Sequence, residues 1–340
     1  MSRRLTIVLA VLAAALAAHG AAWAWVVREV ERGYAAWRDA ARAEGWTVTA
    51  GSPEWGGYPF AARLGLPGPR LSGGEAWVPG GVAWAAERVV LDVPLARPDV
   101  LHVRPVGPQS VRLAGGPPIP VGAERFELRV PLDGQGLVDL RADGLRAGLP
   151  WGELGVEQVL ARLAPLALVL DASGVALPGG PLPRDDGGGH EEGRPAFGPV
   201  LERVRFSAAL TVPFPPGPTP ARRAAAWRAA GGEVRVDGLE ARWGRLNAAG
   251  SAAGGLDEAL QPRGEARLRL THYAAALDAL AASGLLAPGA VVAARAVLGL
   301  MARPGPGGPE VEVPLRLEGG MLAMGRIPLL RLPALTWPEE

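Results

Sequence analysis

Cysteine is absent from the chain, which removes disulfides, thiol nucleophiles and cysteine-ligated zinc together. Lysine is absent as well, so all 35 basic residues are arginine. Set against 34 acidic residues they leave a formal charge of +1. With acids interleaved among the arginines there is no unbalanced basic patch of the kind that phosphate binding needs, and no nucleic-acid partner is expected. Only four histidines are present, and no Gly-x-Ser-x-Gly elbow, Gly-Lys phosphate loop or His-Glu-x-x-His motif occurs. No catalytic residue, metal site or cofactor is therefore expected. What the chain has in quantity is apolar: 49% of its 340 residues are hydrophobic, alongside 48 Gly and 34 Pro. That is enough to bury a core, which argues against wholesale disorder.

The strongest local signal is a run without formal charge from Leu5 to Val27, preceded by Arg3-Arg4 and followed by Arg28-Glu29. As a helix it spans about 35 Å, enough for a hydrocarbon core of about 30 Å. Arginines at the short leading end place residues 1–4 in the cytoplasm, and Trp23 and Trp25 then fall at the far interface. A cleaved signal peptide is the competing reading, with Leu5–Ala18 as its apolar region and Ala22-Trp23-Ala24 as a small-x-small cleavage site. Beyond this run, Val27, Val30, Tyr34, Trp37 and Ala41 recur at intervals of three and four, with Arg28, Glu31, Arg32, Arg38, Asp39 and Arg42 opposite. The spacing predicts that a transmembrane helix over 5–27 continues as an amphipathic stalk over 28–45, closed by Gly45. The anchored reading is a single-pass inner-membrane protein with its body in the periplasm.

From Trp46 onward the period is two, as in Arg125–Val130, Val204–Leu210, Glu233–Val236, Glu265–Leu270 and Val311–Leu317. Helices near 221–230, 271–283 and 288–303 are too few to cover so much sheet. The expected fold is therefore mainly β, a curled antiparallel sheet forming an open trough or incomplete barrel. A Gly/Pro/acidic linker over 182–199 separates a first β-rich half, 46–181, from a second, 200–340. Two hairpins are predicted in register. A two-residue Asp237-Gly238 turn pairs Val236 with Leu239 and Val234 with Ala241, and sets Arg235 opposite Glu240 and Glu233 opposite Arg242. A three-residue loop, Asp133-Gly134-Gln135, pairs Val130 with Val138, Leu128 with Leu140 and Phe126 with Ala142. Arg129–Asp139, Glu127–Arg141 and Arg125–Asp143 then meet outside.

Asp185, Asp186, His190, Glu191 and Glu192 form the only dense set of potential ligands, but the intervening glycines give no fixed spacing for a cation, and the segment reads as a solvated linker. His102, in the alternating run Val100–Arg104, reads as a strand residue satisfied by a neighbour. A periplasmic hydrolase using His102 or the acidic loop is a remote alternative. Trp46, Trp55, Trp77 and Trp84 crowd the first strands with Tyr58 and Phe60, either as packing at the rim of a core or as an amphipathic lip near a membrane or an acyl chain.

The segments Gly45-Trp46, Gly57-Tyr58-Pro59-Phe60, Arg97-Pro98, Gly107-Pro108-Gln109-Ser110 and Val313-Pro314-Leu315 through Gly320 to Gly325-Arg326-Ile327-Pro328-Leu329 resemble the proteobacterial domain-of-unknown-function 2125 family over nearly the whole chain. That family has no assigned activity, so the resemblance implies architecture. More distantly, the alternation in Gly232–Gly255 and Arg263–Leu270, the helical stretch after it and the closing strands resemble the AsmA-like envelope proteins. This second resemblance implies an inner-membrane anchor, a periplasmic sheet with an apolar trough, and a part in phospholipid movement or outer-membrane homeostasis. The expected ligand is a phospholipid or fatty-acyl chain. Phe126, Leu128, Val130, Val138, Leu140, Val311, Val313, Leu315 and Leu317 are the expected apolar face, binding by burial at about 25 cal/mol per Å². The alternative is a non-enzymatic scaffold that holds an envelope protein partner through a sheet edge or the Trp-rich patch.

Overall fold

The computed structural model describes residues 3–74, 80–134, 136–150, 152–177, 200–215, 219–274, 288–305, 308–325, 327–335 and 337. The linker over 182–199, with its acidic cluster, and Trp77 lie outside the described residues. Among the described residues the chain is mainly β, a large antiparallel sheet of 19 strands with three helices. It divides into two compact units, Met1–Arg141 and Ala142–Glu340.

The first unit opens with helix α1 (Arg3–Ala43), unbroken from the apolar run into the amphipathic one. Its end is a Schellman motif: the Gly45 N–H donates to Arg42 O at 3.0 Å and the Trp46 N–H to Ala41 O at 2.9 Å. Gly45 stands at φ +88°, a left-handed conformation that a Cβ would penalise. Eight strands follow: β1 (Thr47–Thr49), β2 (Glu54–Gly56), β3 (Ala61–Pro67), β4 (Arg70–Gly73), β5 (Val82–Pro94), β6 (Val100–Leu113), β7 (Ile119–Gly122) and β8 (Arg125–Pro131). The long pair β5–β6 is the frame; β3 and β4 share one edge of β5, while β7 and β8 share one edge of β6. Alternate residues of β3 and β5, namely Leu64, Leu66, Val89 and Leu91, form a buried core. Val30 and Tyr34 of α1 pack onto it with Trp84, Leu101 and Val103. Part of the stripe expected to line a stalk is therefore the lid of this core, and Val27 at its upper end is completely buried, while Trp37 lower down is exposed.

β9 (Val138–Leu149) crosses the boundary between the units. On either side of a loop that includes Gln135, outside the described residues, the expected apolar face holds, while of the expected outer face Glu127 and Asp143 are half-buried. Phe126, Leu128, Val130, Val138 and Leu140 are half-buried and Ala142 is buried, whereas Arg125, Arg129, Asp139 and Arg141 are exposed.

The second unit is a meander: β10 (Gly152–Ala164), β11 (Ala167–Ala176), β12 (Val200–Leu210), helix α2 (Pro220–Ala229), β13 (Val234–Trp243), β14 (Leu246–Leu256), β15 (Pro262–Thr271), helix α3 (Pro288–Met301), β16 (Arg303–Gly305), β17 (Gly308–Glu318), β18 (Met321–Met324) and β19 (Ile327–Arg331). β10 to β15 each pair with the strand before, and β17 pairs with β15, β16 and β18. α2 is capped by Thr219, whose hydroxyl accepts the Arg222 N–H, with Pro220 at its first turn. Of the helix expected over 271–283, Thr271 is the last residue of β15 and His272 a bend at φ +58°, Tyr273 and Ala274 are helical, and residues 275–283 lie outside the described residues. The helix expected over 288–303 stops at Met301 because Arg303 is recruited by β17, opposite Glu310.

One predicted hairpin is wrong. β13 runs straight through Asp237-Gly238, flanked on both sides by β12 and β14. Val236 faces Ala252 and Leu239 faces Gly250, so Asp237 and Gly238 together oppose Ser251, a β-bulge. The reversal comes at Gly244-Arg245, between the paired Trp243 and Leu246. Gly244, at φ +58°, supplies the positive φ that a type II′ turn requires first. The ion pairs differ accordingly: Glu240 meets Arg205 at 3.6 Å and Glu233 meets Arg235 at 3.4 Å.

Candidate functional site

Antiparallel register stacks apolar residues in rows across the second unit. Leu210, Val234, Gly254, Gly264, Leu317 and Leu322 are successive cross-strand partners from β12 to β18. The next row is Ala208, Val236, Ala252, Ala266, Leu315 and Met324. The opposite face is charged: Asp171, Arg205, Glu240, Ala249, Arg269 and Glu312 form one of its rows. Period-two alternation thus yields a sheet with one apolar and one wet side.

The apolar side is not flat. β13 and β17 carry Val234, Val236, Leu315 and Leu317, while the central strands β14 and β15 present Gly254, Gly264, Ala252 and Ala266 between them. Bulky walls around a floor of glycine and alanine leave a groove of about 430 Å³, further lined by Trp227, Leu256, Pro262, Leu322 and Leu335. The glycines are sterically required. A Cβ on Gly264 would lie 2.6 Å from Ala253 O and 2.9 Å from Gly254 Cα, and one on Gly254 would lie 2.6 Å from Arg263 O.

Both ends of this face are built by other elements. At the end marked by Leu256 and Pro262, α2 contributes Trp227, whose indole N–H donates to Val212 O at 3.1 Å. Leu335 is held there by Gln261, whose side chain accepts from the Leu335 N–H at 2.7 Å and donates to its carbonyl at 3.1 Å. Toward the other end the face is closed over. Tyr273, Val311 and Val313 are buried, with Leu268, Leu270, Leu315, Met324 and the α3 residues Leu298 and Met301 against them. Of the residues expected on the apolar face, Leu315 and Leu317 line the groove, Val311 and Val313 lie in the adjoining closed core, and Phe126, Leu128, Val130, Val138 and Leu140 are not among the lining residues. Sequence reasoning missed the floor, because it looked for large apolar side chains. The available signal was the run Ala248-Ala249-Gly250-Ser251-Ala252-Ala253-Gly254-Gly255, small residues throughout a strand.

Among the described residues several titratable groups are paired with one another. His102 Nδ1 and Glu127 Oε1 are 2.9 Å apart, and Arg129 donates to Glu127 Oε2 at 2.9 Å. Burial works to raise the Glu127 pKa, but the hydrogen bonds from His102 and Arg129 outweigh it and hold the carboxyl below the usual glutamate range. Asp171 on the wet face accepts from Arg203 at 2.5 Å and from Arg205 at 3.2 Å, and the Arg203 hydrogen bond leads in holding its carboxyl low. Asp92, the buried acid, meets Arg63 at 2.9 Å and Arg104 at 3.6 Å. Among the described residues no group of three or more His, Asp or Glu is arranged to hold a metal.

A family model described as an uncharacterized protein conserved in bacteria, domain of unknown function 2125, matches residues 23–333. No curated protein and no solved structure matches the chain.

Proposed function

The chain belongs to the domain-of-unknown-function 2125 family, and for this member we propose a membrane-anchored protein that holds a fatty-acyl chain, as in a phospholipid, in the groove of its second unit. The groove carries the reading. Its size of about 430 Å³ lies in the range of roughly 300–1,000 Å³ typical of small-molecule sites. Its walls are Val, Leu and Trp and its floor is Gly and Ala, so it offers burial to a slender apolar chain and few polar partners to a compact polar ligand. Support for the anchor comes from α1, whose apolar half is long enough to cross a bilayer and is unburied. In contrast to a leader destined for removal, the helix beyond Trp23 is built into the first unit: the Trp23 indole donates to Ala61 O at 2.8 Å and Val27 is enclosed. With Arg3-Arg4 leading, the positive-inside rule puts the N-terminus in the cytoplasm and the body in the periplasm, a setting for handling envelope lipid.

Native mass spectrometry of the full chain, followed by lipid extraction, tests the groove. Stoichiometric phospholipid or fatty acid is expected on the wild type. Ala266→Phe, which fills the floor between Ala252 and Leu315, should abolish the lipid while leaving the unfolding midpoint unchanged or raised. Lipid retained by a folded Ala266→Phe protein removes the groove as the site. A wild type that neither carries nor takes up lipid favours the scaffold for a protein partner instead.

A further inference from the structure

Where β2 leads into β3, the turn 57–60 lies alongside α1, well within the uncharged run. His19 Nε2 donates to Pro59 O at 2.7 Å and the Trp23 indole to Ala61 O at 2.8 Å. The Tyr58 ring meets both His19 and Trp23 edge-on, with centroids 5.8 and 5.6 Å apart. A hydrocarbon core of about 30 Å counted from Leu5 ends near residue 25, and His19 sits about 9 Å short of that boundary at roughly 1.5 Å per residue. The turn that His19 holds is therefore at the depth where interfacial segments bury themselves, about 5–10 Å into the boundary between headgroups and acyl chains.

The composition of the turn suits that depth. Phe60 is 83% exposed, and Tyr58, though packed against His19 and Trp23, is still 52% exposed. Several of its backbone groups, in contrast, are paired within the unit. Gly57 O accepts from the Phe60 N–H at 3.1 Å and the Ala61 N–H at 2.9 Å, and Phe60 O accepts from the Leu95 N–H at 2.9 Å. His19 and Trp23 take Pro59 O and Ala61 O, and Pro59 has no N–H to satisfy. Exposed apolar side chains over carbonyls that are largely paired suit a non-helical segment at the boundary of a bilayer, where each unpaired backbone group is costly.

We propose that the turn 57–60 is a second membrane contact, with Phe60 and Tyr58 inserted into the bilayer leaflet beside α1. The proposal rests on the reading of α1 as a membrane anchor. Its consequence is that the first unit is pressed onto the membrane at this end and does not hang from a free tether.

Because the chain has no cysteine of its own, single cysteines report without background. Full-length Leu12→Cys, Phe60→Cys and Leu113→Cys proteins, each labelled with an environment-sensitive nitrobenzoxadiazole dye, are reconstituted into phosphatidylethanolamine–phosphatidylglycerol vesicles. Quenching by nitroxide lipids and by aqueous iodide is then compared. Phe60 and Leu113 are exposed positions, so neither label disturbs packing. Leu113 lies toward the far end of the β5–β6 pair from the turn: Ala61 faces Pro94 while Leu113 faces Val82. Expected are deep-lipid quenching at 12, shallow-lipid quenching with blue-shifted emission and several-fold protection from iodide at 60, and iodide quenching alone at 113. Should 60 behave like 113 while 12 is lipid-quenched, the second contact is overturned and the anchor stands. Should 12 also be open to iodide, the anchor reading fails and takes the proposal with it.

Discussion

At the scale of single residues, the sequence indicated that His102 would be satisfied by a neighbour, and Glu127 is that neighbour. The identity of the partner was not legible, because it depends on the register between β6 and β8, where His102 faces Arg129 and reaches diagonally to Glu127. The pair has a consequence for pH. Glu127 has its folded pKa held below the ordinary value of 4.5, so it contributes stability above that value and loses the contribution as pH falls through the lowered one. Urea midpoints measured across the acid range should therefore decline below about pH 5. Glu127→Gln should flatten part of that decline, with Asp171 supplying another part by the same sign. A decline of equal slope in wild type and Glu127→Gln would show that the hydrogen bonds to His102 and Arg129 do not matter to folding.

Individual elements were mostly legible, since alternation marks strands wherever one face is wet. β13 shows where that fails. Its apolar residues are Val234 and Val236 and then Leu239, Ala241 and Trp243, a change of parity at Asp237-Gly238. A turn explains such a change and so does a bulge, and both favour the same residue types. Only the strands on either side decide, and they are remote in sequence. Two substitutions separate the outcomes. Gly244→Ala forces a Cβ into φ +58° and should lower stability by about 1–2 kcal/mol. Gly238→Ala, whose Cβ would sit an ordinary 3.8 Å from the Ser207 Cβ, should be close to neutral in the same denaturant titration. The reverse ranking would restore the turn at Asp237-Gly238.

For the whole molecule, sequence reasoning assigned α1 to membrane and stalk and the rest to sheet with three further helices, and so placed the core of the first unit entirely downstream. The helix stripe carried no mark of where it would dock, because the amphipathic pattern of a docked helix and of a free stalk is the same. Val30 and Tyr34 cover Leu64, Leu66, Val89 and Leu91, and at roughly 1.5–3 kcal/mol per large apolar side chain that cover is comparable with a typical domain stability of about 5–15 kcal/mol. A chain beginning at residue 45 should accordingly lose the first unit's protection from limited proteolysis, while one beginning at His19 should keep it. Equal resistance of the two would mean that the strands of the first unit hold without their lid.

The same feature sets an order of events during synthesis. The residues that roof β3 and β5 belong to the element that leaves the ribosome before them, continuous with the segment proposed to lodge in the bilayer. Under the proposed topology, export of the later strands would deliver them to a partner already fixed in place, so that the first unit would close by a search confined to a surface. On that proposal integration would come before folding, and a delay in integration would leave those strands waiting uncovered.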